Sequence, residues 1–307
     1  MKNYLVIGII ALLSPIFILA QTIPFNSDKW EIEARGHLFD NFKGHQSLYL
    51  KNGNAWLKGV NFQNGIIEFD VYMEKRRSFA GILFRMEDKE NYEEIYLRPH
   101  LDEMPDAMQY TPVNNGASAW QLYHDQGRAV LDGQIGWRVE SEGGYNALFK
   151  FPYGRWFHVK LVVSGTRADF YLDDNEHPVL QIRELKRGLS TGSIGVKSSR
   201  GATYFSNFSF KATDEVKLEP LPERKLKPTV TGMIENWQIS NTFNEKEVLG
   251  KQQLEATFLN KQQWQTLTAE SSGVINITTL HKGSRQKNAV LAKINIQSDT
   301  DQLKRFD

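Results

Sequence analysis

Between about Phe25 and Phe210 apolar and polar residues alternate in short runs. Ile67, Phe69, Val71 and Met73 alternate with Glu68, Asp70 and Tyr72, and Phe157, Val159, Leu161 and Val163 alternate with His158 and Lys160. Ala168, Phe170 and Leu172 alternate with Asp169 and Tyr171. A period of two sends successive side chains to opposite faces of a strand, so each run offers one face to a core and the other to water. Turn residues separate the runs: Asp173, Asp174 and Asn175 mark one turn, and Gly192 and Gly195 flank Ile194. Tyr204, Phe208 and Phe210 close the unit, and no amphipathic helix longer than about two turns interrupts it. Many short alternating strands predict an all-β sandwich.

One strand stands apart. Over Asn91 to His100, Ile95 and Leu97 are predicted to point one way while Tyr92, Glu94, Tyr96, Arg98 and His100 point the other. Such a row of phenols, carboxylate, guanidinium and imidazole can stack on and hydrogen-bond a polar ligand. An arginine in an open row of this kind should be removable with little loss of stability. Glu94 and His100 are the candidates for catalysis, His100 as a base near neutral pH, although Pro99 unsettles its place on the strand. The following loop interleaves Gln109, Tyr110, Trp120, Gln121 and Tyr123 with Asp102, Asp106, Asn114 and Asn115. If it folds over the same face, Tyr110 and Trp120 become ring platforms and Gln109 and Gln121 hydrogen-bonding partners.

Beyond residue 210 the pattern changes. Residues 211–229 are charged and contain Pro220, Pro222 and Pro228, which predicts a semi-rigid linker. Residues 230–307 again carry strand-like runs, Asn236 to Phe243, Trp264 to Leu267, Val274 to Leu280 and Val290 to Ile296. About four strands are too few to close a sandwich with its own core, so an incomplete second β domain is expected there.

Composition narrows the function classes. An apolar run from Tyr4 to Leu19 behind Lys2, interrupted by Pro15 and ending at Ala20, has the order of a signal peptide and is short for a membrane span. Cleavage of residues 1–20 predicts an exported protein, periplasmic or extracellular, with the sandwich spanning 21–210. The chain has no cysteine, so an exported fold must rely on apolar burial rather than disulfides. The formal charge of +1 and the scatter of basic residues along the chain argue against nucleic acid and anionic membrane as partners. Asp173 and Asp174, beside Asn175, Glu176 and His177, offer oxygen ligands for calcium, although contiguous acidic residues cannot all point inward and a hairpin turn accounts for them equally. Calcium is thus the one cofactor candidate, and no zinc spacing, phosphate-cradling loop or catalytic triad is apparent.

The runs GIIEFDVYM at Gly65 to Met73, AGILFRMEDKENYEEIYLRPH at Ala80 to His100 and GRWFHVKLVVSGTRADFYLDD at Gly154 to Asp174 resemble the concanavalin A-like jelly rolls. That group includes laminin G-like modules and the secreted 3-keto-disaccharide hydrolase domain family, and the likeness extends through GSIGVKS to the closing TYFSNFSF. It implies a jelly-roll β-sandwich that binds a poly- or oligosaccharide, hydrolyses a glycoside, or adheres to a protein partner. Glu68 and Asp70 also look like the start of the E-x-D-x-x-E row of laminarinase-type glycosidases, but the sixth position is Met73 and Glu74 falls one residue late. On an unbroken strand Glu74 stands about 20 Å from Glu68, whereas retaining hydrolysis wants its carboxyls about 5 Å apart. Carbohydrate recognition without catalysis is therefore the leading expectation, with a glycoside hydrolase and an adhesion module as its alternatives.

Overall fold

The computed structural model describes residues 21–124, 128–132, 136–140, 144–223, 233–297 and 299–301, so the expected signal peptide and part of the expected linker lie outside the described residues. The strands up to the long crossover are β1 (Gln21–Thr22), β2 (Trp30–Phe42), β3 (His45–Leu57), β4 (Gly65–Tyr72), β5 (Phe79–Asp88), β6 (Asn91–Leu97), β7 (Met108–Asn114) and β8 (Ala117–Ser118). They continue with β9 (Arg128–Asp132), β10 (Gly136–Glu140), β11 (Asn146–Ala147), β12 (Phe157–Ser164), β13 (Arg167–Leu172), β14 (Leu180–Ile182) and β15 (Ser193–Ala212). Among the described residues, all of these except the β9–β10 hairpin join one continuous 13-stranded antiparallel sheet.

That sheet folds into two layers because β15 belongs to both. Its first part pairs with β5, from Ser193 opposite Met86 to Ser199 opposite Phe79, and its second pairs with β4, from Tyr204 opposite Tyr72 to Ala212 opposite Gly65. The ladder to β3 is broken by a bulge between Ser198 and Ala202, where β15 passes from one layer to the other. Strands β7, β6 and β5 thus lie on one side of β15, and β4, β12, β13 and β14 on the other. Phe69, Val71, Val159 and Phe170 from one layer meet Ile82, Ile95 and Leu97 from the other in a single buried cluster. Each large apolar side chain buried in this way contributes roughly 1.5–3 kcal/mol, which is how a cysteine-free sandwich of this size holds together. This is the all-β sandwich that the alternating runs predict, folded as the resemblance to jelly rolls implies.

The two layers differ on their outer faces. In β4 the inward Gly65, Ile67, Phe69 and Val71 are buried while Ile66, Glu68, Asp70 and Tyr72 are half-buried, a clean alternation. In β6 and β7 nearly every residue is buried on both faces.

A smaller three-stranded sheet follows, with β16 (Asn236–Ser240) between β17 (Trp264–Thr268) and β18 (Ala292–Lys293), and a short helix α1 (Ala256–Asn260). The expected strand over Val274 to Leu280 is instead a 3-10 turn at Ile277–Thr279. The Asn276 side chain accepts the Thr278 backbone N–H, an asparagine turn that competes with an extended ladder. The segment before this sheet lies against the sandwich, where the Glu219 backbone N–H donates to the buried Asp169 carboxylate at 2.6 Å. Among the described residues no helix is long and apolar enough to cross a membrane.

Candidate functional site

The outer face of β5, β6 and β15 forms the floor of a groove of about 510 Å³. Strand parity decides which side chains reach it. Ile82, Ile95 and Val196 turn into the core, so their neighbours Gly81, Glu94, Tyr96, Lys197 and Ser199 turn outward. Register places Gly81 between Tyr96 on one side and Lys197 on the other, and a glycine there leaves the floor open between them. A Cβ at Gly81 would also stand only 2.7 Å from the Ile95 carbonyl oxygen. Phe79, Arg77, Arg98, His100, Asp106, Trp120 and Arg200 complete the walls.

Two ion pairs structure the floor. Lys197 Nζ donates to Glu94 Oε2 at 2.5 Å and to the Tyr92 hydroxyl at 3.3 Å, with the Glu94 side chain 4% exposed. Burial works against the charged ammonium, but Glu94 and then Tyr92 outweigh it and hold Lys197 above the ordinary lysine range. Arg98 donates to Asp106 Oδ2 at 2.5 Å, to the Tyr96 hydroxyl at 2.9 Å and to Gln109 Oε1. Gln109 in turn donates to the backbone oxygens of Trp120 at 2.7 Å and Tyr123 at 3.3 Å, which ties the covering loop to the sheet. The Arg98 guanidinium lies 5.0 Å from the Tyr96 ring centroid and 6.0 Å from that of Trp120. Burial pushes the Tyr96 phenol up to about 12, so it stays a neutral donor.

His100 sits on the 3-10 turn Pro99–Leu101 rather than on β6, because the strand ends at Leu97, yet it opens into the same groove. Its ring packs edge-on against Phe79 at 5.3 Å, and its Nδ1 is buried without a partner among the described residues. Burial, then Arg77 and Arg98, hold its imidazole below the usual histidine range, so it is neutral at pH 7.

The predicted row therefore divides. Glu94, Tyr96, Arg98, His100 and Trp120 share the groove, and the Trp120 side chain stands out from its wall, 43% exposed. Tyr92 shares the face of Glu94 but is buried in a satellite cluster with Trp56, Leu83, Met86 and Val113. Gln109 is wholly buried beneath Arg98 and acts as a brace. Tyr110 corrects the expectation of a ring platform: parity turns it into the core, where its hydroxyl donates to Glu93 Oε2 at 2.5 Å. Tyr123 is also buried, donating to Glu270 of the C-terminal segment, and Gln121 is exposed outside the groove lining. Arg98, 5% exposed and braced by several partners, is a structural pillar rather than a removable surface group.

Sequence reasoning missed Lys197, Phe79, Arg77 and Arg200 in the groove. Lys197 was accessible from parity, since Ile194 and Val196 are core residues and the positions between and after them must face out. Glu93 was missed too: it takes the core face of β6, where burial pushes its carboxyl up to about 7.

On the other layer Glu68 and Asp70 lie half-buried on the outer face of β4. His158 makes contact with Asp70 at 2.9 Å and Glu68 at 3.4 Å, and these two hydrogen bonds raise its imidazole to about 9. Asp173 occupies a left-handed turn at φ 55°, and its carboxylate receives Arg155 Nη1 at 2.9 Å. Asp174 is exposed, and among the described residues no three acidic or histidine side chains gather to hold a metal ion.

Residues 25–211 match the 3-keto-alpha-glucoside-1,2-lyase-like domain family, and the chain belongs to it. No curated protein matches the chain. Among solved structures, the carbohydrate-binding module CBM66 from Bacillus subtilis is similar at 14% identity, over 61% of this chain and 97% of the module, with a TM-score of 0.43. A β-glucanase from Bacillus licheniformis is similar at 13% identity, over 62% of this chain and 96% of the enzyme, with a TM-score of 0.37.

Proposed function

We propose that this member of the 3-keto-alpha-glucoside-1,2-lyase-like domain family binds a saccharide in the groove on β5, β6 and β15. The observation that carries the reading is a half-exposed Trp120 ring standing over a floor of charged donors and acceptors. Sugars present an apolar C–H face and a ring of hydroxyls, and a groove with an aromatic wall and a polar floor answers both. Recognition without hydrolysis is favoured because Glu94 is paired with Lys197 and Asp106 with Arg98. In these pairs both carboxylates are engaged by fixed cations, whereas two-carboxylate hydrolysis needs both carboxyls free to reach the scissile bond. The leader-like residues 1–20 fit a saccharide outside the cytoplasm.

A second reading follows from His100. A neutral imidazole between cations is suited to take a proton from the carbon next to a ketone, and the family is named for chemistry on 3-keto-glucosides. The proton would pass to His100, the enolate charge would face the cations, and the aglycone oxygen would leave C1 with the C1–O electron pair and take up a proton from water as the C–H electron pair forms the new double bond. Adhesion through a protein partner lacks a comparable feature, since Trp120 stands in a charged groove rather than an apolar patch.

Calorimetry and product analysis on a panel of oligosaccharides and 3-keto-glycosides test both readings. Trp120→Ala is expected to weaken binding about tenfold with an unchanged melting temperature; undiminished binding would remove the ligand from this groove. Turnover of a 3-keto-glycoside that disappears in His100→Gln would make the protein a lyase, and binding without turnover would leave it a recognition module.

A further inference from the structure

Cations outnumber carboxylates in the groove. Arg77, Arg98, Lys197 and Arg200 line it against Glu94 and Asp106. Lys197 and Arg98 are each committed to a carboxylate. Arg77 and Arg200 remain: both are exposed, and neither side chain makes a hydrogen bond or ion pair with any described residue. Their neighbours differ, since Lys75 pairs with Asp102 at 3.3 Å and Arg76 with Glu74 at 3.3 Å. The basic run 75–77 thus leaves only Arg77 without an acidic partner among the described residues.

Backbone architecture brings the two unpaired arginines to one place. Arg200 adopts φ 56°, a conformation side-chain-bearing residues rarely take, in the bulge where β15 changes layers. Gly201 beside it packs so closely on the Arg77–Ser78 segment that a Cβ there would stand 2.8 Å from the Ser78 Cβ. Two guanidinium-bearing segments therefore abut at one wall of the groove, a juxtaposition of like charges that an anion would complement. Arg77 already exerts its field on the groove interior, where it contributes to holding His100 neutral.

We infer that the saccharide taken by this groove carries an anionic substituent, a carboxylate or a sulfate ester, recognised by Arg77 and Arg200. This rests on the groove being the saccharide site. Planar guanidinium groups suit both oxyanions, and their exposure makes the interaction sensitive to salt.

The test is calorimetry with matched oligosaccharides of the same linkage: galacturonate beside galactose oligomers, glucuronate-containing beside glucose oligomers, and a sulfated galactan fragment beside its desulfated form. Wild type is expected to bind an acidic member about tenfold more tightly than its neutral match. That preference should vanish in Arg77→Gln/Arg200→Gln and shrink in high salt, with the melting temperature unchanged. The arm that gains affinity distinguishes carboxylate from sulfate. Equal binding of acidic and neutral members would overturn the inference and leave the groove reading standing. Absence of binding by every member would overturn both.

Discussion

Strands β4 and β6 carry similar alternations of apolar and charged residues, and the protein treats them in opposite ways. On β4 the outward Glu68 and Asp70 remain half-solvated and share one histidine. On β6 the outward Glu94, and just past its end Arg98, are almost sealed from water, each with a counter-charge from another strand or loop. Local pattern is not the source of the difference. Residues 115–124 fold back onto β7, where the Trp120 and Tyr123 carbonyls accept from Gln109, and the C-terminal segment clamps that cover through Tyr123 to Glu270 and Asn115 to Thr278. A strand face becomes a site when something covers it incompletely.

The sharpest way to break this contrast is at Arg98. Arg98→Ala removes the counter-charge of Asp106 and the donor to the Tyr96 hydroxyl, leaving Gln109 Oε1 with the hydrogen bond from the Tyr96 hydroxyl, and should cost about 3–4 kcal/mol in chemical denaturation. A loss below about 1 kcal/mol would put the β6 face on the same footing as that of β4. Lys197→Met removes the counter-charge of a buried carboxylate and should cost about 3 kcal/mol; full stability in this variant would mean that Glu94 finds another partner or takes up a proton.

The inner side of β6 has a pH signature of its own. Burial raises Glu93 to about 7 from an ordinary 4.5, so its contribution to stability is complete below 4.5 and is lost as pH rises through 7. The fall should approach 3 kcal/mol, and Glu93→Gln should flatten the melting temperature between about pH 5 and 8. An unchanged slope in the variant would show that Arg85 and Arg187 keep the carboxylate ionised throughout.

The smallest effect belongs to the open face. His158, raised to about 9 by Asp70 and Glu68, contributes stability that is complete below about 6.5 and lost as pH rises through 9. Its side chain is 41% exposed, so solvent screening limits the cost of His158→Gln to under about 1 kcal/mol. A loss as large as that expected for Arg98→Ala would show that the network on β4 is more than a solvated surface.

Much of the fold was legible in the residues. The alternation at Gly65 to Tyr72, Phe157 to Ser164 and Arg167 to Leu172 marks strands because a period of two has no other compact solution. The outward set Tyr92, Glu94, Tyr96 and Arg98 was legible for the same reason. The loop residues were not, since nothing local distinguishes Trp120, which overhangs the groove, from Tyr110, which β7 turns into the core. The strand expected at Val274 to Leu280 failed because one asparagine hydrogen bond outweighed β-branched propensity.

By itself, then, the sequence determined strand identity, facing and the reliance on a large apolar core without disulfides, because these depend on neighbours one or two positions apart. Only the tertiary structure decided which charges meet. Lys197 lies 103 positions from Glu94, and Arg200 lies 123 from Arg77, yet the β15 crossover brings each to the groove. Cations scattered along the chain become one cationic groove because sheet register, not sequence distance, sets the separation of side chains on a folded sheet.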